Sequence, residues 1–136
     1  MYLIDTNVWL ELLLEQERAN EVGQFLQWVD SYHLSMTEFS LYSIGIITTR
    51  LKKEAVFESF ISDILEDTGV KRVCLSSSDL RNVIFASKMF HLDFDDALQY
   101  VAAKRDRLLL VSFDADFDKT DIVRKTPSKI MDAYNK

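Results

Sequence analysis

Three short apolar runs constrain this chain more than any other feature of it. Tyr2–Ile4, Arg72–Leu75 and Leu108–Val111 are too short for helices and read as strands buried on both faces. The segments between them carry helical spacing. Val22, Phe25, Leu26 and Val29 recur at i, i+3, i+4 and i+7. Val56, Phe57, Phe60, Ile61, Ile64 and Leu65 form a second stripe, Leu80, Val83 and Ile84 a third, and Ala97, Leu98, Val101 and Ala102 a fourth. Pro127 suits the first turn of a last helix, with Ile130 and Met131 facing inward. Phe39–Leu51 is apolar nearly all round and contains Gly45, which costs a helix ~1 kcal/mol relative to Ala. A strand is the alternative there; Ser35-x-x-Glu38, read as a capping box, favours a helix.

Strands alternating with helices imply βαβ units and a parallel sheet covered on both faces. The expected fold class is α/β, with three α/β/α layers around a central parallel sheet and one domain spanning residues 1–136. In such sheets the site lies at the carboxyl ends of the strands, near a point where the strand order reverses.

The composition agrees with a packed, water-soluble domain: 48% of the residues are hydrophobic and 28% charged. The lone cysteine, Cys74, excludes an intramolecular disulfide and is expected to be a buried small hydrophobe between Val73 and Leu75. The opening segment lacks the basic start of a signal peptide, and no apolar run approaches a membrane span, so the expected location is the cytoplasm. The net charge of −6 argues against non-specific binding to nucleic acid. Yet setting aside Asp5, Glu38, Asp95, Asp96, Asp114 and Asp116 leaves 16 acids against 16 bases. The excess is then local.

Those acids fall where the fold puts a site. Asp5 directly follows the first strand, Asp114 comes three residues after Val111, and Glu38 and Asp96 sit in the first turns of expected helices. Strand C-termini and helix N-termini share one edge of a doubly wound sheet, so the four converge. Close carboxylates repel one another unless a cation intervenes. Hard oxygen donors suit magnesium, or manganese, and no His/Cys cluster favours zinc. Each acid also has a structural reading. Glu38 completes the capping box, one of Asp93, Asp95 and Asp96 caps a helix, and Asp114, Asp116 and Asp118 form a solvated turn. Asp5 resists such a reading, because an unpaired carboxylate ending a buried strand is expensive. Other motifs fail. Lys119 and Lys125 stand where a calcium-binding EF-hand loop needs Gly and Glu, Asn7 replaces the second Asp of a dehalogenase-type phosphatase, and His33 and His91 are isolated.

Four segments resemble the PIN-domain family. They are Met1-Tyr-Leu-Ile-Asp5-Thr-Asn7-Val-Trp-Leu, Ser35-Met-Thr-Glu38, Phe94-Asp95-Asp96-Ala97-Leu98-Gln99 and Leu110-Val-Ser112-Phe-Asp114-Ala-Asp116-Phe117, in order over residues 1 to about 120. The resemblance implies Asp5, Asp96 and Asp114 as metal ligands, Glu38 and Asp116 completing an acidic pocket, and Asn7 and Ser112 orienting the ligands. A Gly often found before the third segment in relatives is absent from Met89-Phe90-His91-Leu92. The short length is similar to that of VapC-type toxins. This implies a magnesium-dependent endoribonuclease that cuts RNA, pairs with a cognate antitoxin and forms a homodimer. Trp9, Leu13 and Trp28 are candidates for the antitoxin groove, with core or dimer interface as their other reading. Arg50, Lys52, Lys53, Lys104, Arg105 and Arg107 are candidates for guiding RNA. The rival readings are a non-catalytic PIN-fold module that binds RNA or protein, a DNA nuclease, and a phosphatase.

Overall fold

The structure, a computed structural model, describes residues 1–134. The chain runs β1 (Tyr2–Ile4), α1 (Thr6–Leu13), α2 (Ala19–Trp28), a 3-10 turn (Ser31–His33), β2 (Leu34–Thr37), α3 (Glu38–Arg50) and α4 (Glu54–Phe60). A wider π turn (Ile61–Glu66) leads to β3 (Lys71–Val73), α5 (Ser77–Phe90), α6 (Phe94–Asp106) and β4 (Leu109–Val111). A 3-10 turn (Ala115–Lys119) and α7 (Pro127–Tyr134) follow. The strands are parallel, in the order β3-β2-β1-β4. Tyr2 lies opposite Leu34 on one side and Leu109 on the other, and Ile4 lies opposite Val111.

Strand alternation sorts the core into two layers. Leu3 and Leu110 point to one face, where Val83 and Ala86 of α5 and Ala97, Val101 and Ala102 of α6 cover them. Ile4 and Val111 point to the other, against Val8 and Trp9 of α1, Phe25 of α2, Ile44 of α3 and Ile130 of α7. Both faces are buried, which gives the expected three-layer α/β/α arrangement.

Several local expectations change. There is a fourth strand, β2, and Ser35 lies inside it rather than capping α3. The N-cap of α3 is Thr37, whose Oγ1 accepts from the Ser40 amide at 3.0 Å; Glu38 is then the first helical residue, too early to close a capping box. The third strand ends at Val73, at the edge of the sheet, so Cys74 lies beyond it and is exposed. Leu80 and Ile84 are exposed; α5 turns Val83 and Ala86 inward instead. Trp9 is core, and Trp28 is exposed on one side while stacking on Phe25. Phe39–Leu51 is helical in nearly its whole length, and Gly45 has a packing reason. A Cβ there would approach Cζ of Phe57 to 3.0 Å, so the glycine lets α3 and α4 come together. His91 closes α5 in the left-handed region at φ 55°.

The strand order fixes where the crevice opens. From β1 the chain builds outward to β2 and β3, whereas β4 docks on the opposite side of β1, so the order reverses between β1 and β4. Beyond β4 the tail adds a short parallel contact. The Lys125 amide donates to Leu110 O at 3.0 Å, and the Ser112 amide donates to Lys125 O at 3.1 Å.

Phe117, fully buried, pins the 3-10 turn after β4 to the α6 side of the core. Phe117→Ala is expected to cost about 3–5 kcal/mol in urea unfolding. A loss below about 1 kcal/mol would show that the turn is not anchored by the core.

Candidate metal centre

Asp5 leaves β1 in extended conformation and caps α1, its Oδ1 accepting from the Thr6 amide at 2.8 Å. It is only 5% exposed, and the sheet edge supplies its other donors. The Ser112 hydroxyl donates to Oδ2 at 2.7 Å, Asn7 Nδ2 donates to the same oxygen at 3.2 Å, and Gln99 Nε2 donates to Oδ1 at 3.1 Å. Ser112 Oγ in turn accepts from the Asp114 amide at 3.0 Å, and Asp114 Oδ1 accepts from the Asp116 amide at 2.8 Å. A continuous chain of bonds thus runs from the end of β1 to the turn after β4. Asn7 Oδ1 accepts from the Phe113 amide at 3.4 Å and ties α1 to the same turn.

Asp96 comes from the first turn of α6, where the helix dipole favours an acid. Asp5, Asp95, Asp96 and Asp114 line one cleft of about 310 Å³ with Thr6, Asn7, Leu10, Phe39, Ser43, Ile47 and Gln99. Carboxylate oxygens of Asp96, Asp114 and Asp116 lie within 4.8 Å of one another. Asp95 turns back to its own helix, accepting from the Asp96 amide at 3.0 Å. The structure does not bring Glu38 into this group. Its Oε1 meets Arg72 Nη2 at 3.2 Å, its Oε2 accepts from the Tyr42 hydroxyl at 2.8 Å, and the Tyr42 bond is the main cause of a lowered pKa. Cys74 beside it is exposed, and the neighbouring Glu38 carboxylate, as the leading cause, raises its thiol pKa.

The cleft is short of positive charge. Burial, followed by the charges of Asp114, Asp95, Asp5 and Asp116, pushes Asp96 up to about 7. Burial also pushes Asp5 up to about 6, against the lowering effect of bonds from Ser112 and the Thr6 amide. A divalent cation relieves such a cluster, and its donors are hard oxygens with no His or Cys among the lining residues. The residues fit magnesium or manganese.

The expected guiding bases divide. Lys104 pairs with Asp121 at 3.1 Å, and Arg105 pairs with Asp79 at 2.6 Å. Both lie near the far end of α6 from Asp96, on the order of 12 Å along the helix axis, and Arg107 caps that same far end. Arg50 instead lies one turn beyond Ile47, which lines the cleft. The sequence reading passed over Arg18, whose guanidinium sits 4.5 Å above the Phe113 ring. Phe113 lines a depression that shares Asn7, Leu10 and Ile47 with the cleft. It also gave no role to Gln99, which closes the third of the four segments and whose position three residues after Asp96 on α6 puts it on the same helix face.

Both raised acids titrate near pH 4 in an unfolded chain. Without metal the folded protein therefore binds more protons from about pH 4 to about pH 7, and its stability falls as the pH rises through that window. Asp79 and Asp121, whose values are lowered, act below it. Thermal midpoints in EDTA are expected to drop across the window, less steeply in Asp96→Asn, and to recover at neutral pH on adding magnesium. Midpoints that rise across it, in the same buffer series, would contradict this electrostatic picture.

Solved structures share the fold at low sequence identity. The VapC20 toxin of Mycobacterium tuberculosis, described as cleaving the sarcin-ricin loop, superposes with a TM-score of 0.77 at 14% identity, over 93% of this chain and 100% of that one. FitAcB from Neisseria gonorrhoeae gives 0.74 at 19%, over 94% and 99%. A toxin-antitoxin complex from Klebsiella pneumoniae gives 0.68 at 18%, over 86% and 90%. No sequence among the curated proteins matches the chain. The model of the PIN domain family matches residues 2–123, nearly the whole chain, and the protein belongs to that family.

Proposed function

We propose that this protein is a magnesium-dependent endoribonuclease, with manganese able to substitute, and the toxin of a toxin–antitoxin pair. The observation that carries the reading is the meeting of Asp5, Asp96 and Asp114 in one cleft at the β1/β4 reversal, with Asp116 at its rim. These residues would do little for stability, since their mutual repulsion opposes folding. Asp5, Asp96 and Asp114 are the proposed metal ligands. A divalent ion held there would act as a Lewis acid on the phosphodiester and lower the pKa of attacking water.

The remaining steps belong to the chain. Asn7 and Ser112 hold the Asp5 carboxylate in a single orientation and link it to Asp114. Asp116, exposed and bonded to Asp114 through its amide, is the proposed acceptor for the proton of the attacking water. Leu10, Phe39 and Ile47 form an apolar wall that excludes bulk water and offers a surface to a base beside the scissile phosphate. Arg18, over the Phe113 ring, and Arg50, one turn beyond Ile47, are proposed to guide RNA toward the cleft. Glu38, paired with Arg72, is proposed to brace α3 against β3 rather than to act in the cleft.

The partners proposed are a cognate antitoxin and a second copy of the chain, in a single domain spanning residues 1–136. The Klebsiella pneumoniae structure, described as a toxin-antitoxin complex, supports the first. A cytoplasmic setting is proposed as well; no described helix is long and apolar enough to cross a membrane.

The test is cleavage of a labelled structured RNA, beside DNA of the same sequence, in magnesium, in manganese and in EDTA. Cutting of RNA with metal, lost in EDTA and reduced by ~100-fold or more in Asp5→Asn, is the expected result. Cutting of DNA alone would make the protein a DNA nuclease. No cutting by folded wild type across several RNAs would favour a binding module. In the same assay Glu38→Gln is expected to stay within about 5-fold of wild type, as for loss of a surface ion pair. A loss equal to that of Asp5→Asn would return Glu38 to the chemistry.

A further inference from the structure

Beside the acids lies a knot of uncharged polar groups that charge alone does not explain. Gln99 is 1% exposed, lies within the most buried stretch of α6 and lines the cleft. Its amide nitrogen faces three oxygens: Asp5 Oδ1 at 3.1 Å, Thr6 Oγ1 at 3.3 Å and Ser40 Oγ at 2.6 Å. Thr6 and Ser40 share a hydrogen bond of 2.7 Å, and the Thr37 hydroxyl donates to Ser40 at 3.1 Å, so α1, the start of α3 and α6 are locked around this amide. Asp5 sets which way the amide points, because the carbonyl oxygen in the nitrogen's place would abut a carboxylate oxygen.

That orientation leaves Gln99 Oε1 as a buried acceptor with no donor among the described residues. Buried acceptors are rarely left unpaired. The cleft is lined mainly by acceptors and apolar groups, so the missing donor is most simply a molecule that occupies the cleft. Water on a cation held by neighbouring carboxylates presents outward hydrogens, and an amide oxygen is a neutral acceptor for them.

We propose that Gln99 is a positioning residue of the metal centre: its nitrogen holds the Asp5 carboxylate toward the cleft, and its carbonyl oxygen accepts a hydrogen bond from water on the divalent cation. This rests on the metal-dependent reading above. It also accounts for the choice of an amide. A carboxylate in the same place would bind a cation more strongly but would lie unbridged against Asp5 whenever the ion is absent.

The test is manganese binding, read from the loss of the free-ion electron paramagnetic resonance signal, with thermal unfolding of the metal-free protein alongside. Gln99→Leu keeps the bulk and removes both polar atoms; it is expected to weaken manganese binding by on the order of 10-fold or more. Gln99→Glu keeps an oxygen at the site. It is expected to bind at least as tightly as wild type while unfolding at a lower temperature without metal. A purely structural role would lower the midpoint in both variants and weaken binding in both. That result, or unchanged binding in Gln99→Leu, would overturn the role of Gln99 alone. If Gln99→Leu fails to fold, the direction of the change in Gln99→Glu decides. Wild type that takes up no manganese would overturn the metal reading itself and this inference with it.

Discussion

A carboxylate buried at the end of the central strand is the constraint around which the rest is arranged. Asp5 has almost no contact with solvent, and an unpaired charge in such a place would outweigh a large part of a domain's net stability. Its donors come from three separate parts of the chain: the start of α1, the residue after β4, and the middle of α6. Each is brought there by ordinary packing of apolar faces. The cleft is the by-product of satisfying one group at the place where the strand order reverses. Its remaining acids inherit their positions from the same strand end and helix start.

Much of this was legible in the sequence, and the failures have physical causes. β1 and β4 could be read because strands buried on both faces leave unbroken apolar runs. β2 could not, because Ser35 and Thr37 alternate with Leu34 and Met36 and imitate a helix start, although all four are buried. On α5, Leu80 and Ile84 outweigh Ala86 in any hydropathy pattern, yet the inward face is built from Val83, Ala86 and the capping residue Asp79, which also meets Arg105. Asp5, Asp96 and Asp114 were readable because each is tied to a strand end or a helix start. Glu38 satisfied the same rule, but a residue in a first helical turn can face either neighbour, and here Arg72 on β3 draws it away. Gln99 was hidden by its surroundings, one polar residue in an apolar stripe.

The charge of the molecule is distributed to match. Lys104 and Arg105, prominent in the sequence, are neutralised by Asp121, Asp79 and Asp106 far along α6 from the acids. Arg124 likewise gives two bonds to Asp118, with a third to Ser112 O that steadies the turn carrying Asp114. The acids of the cleft have no such partners in the described chain beyond the Lys119–Asp116 pair at the rim. Their field is therefore concentrated at one edge instead of spread over the surface, as expected where low-dielectric walls focus potential into a cleft.

The bond between Asp5 and Ser112 joins groups 107 positions apart. β4 must dock beside β1 before that bond exists, and the parallel contact through Lys125 secures the docked strand. Such long-range pairings pay their loop-closure entropy before they return any contact energy. On the ribosome Asp5 therefore emerges 107 residues ahead of Ser112 and has no cleft to line until β4 has followed. A copy in which β4 has not yet docked carries Asp5 and Asp96 without the place where they meet Asp114.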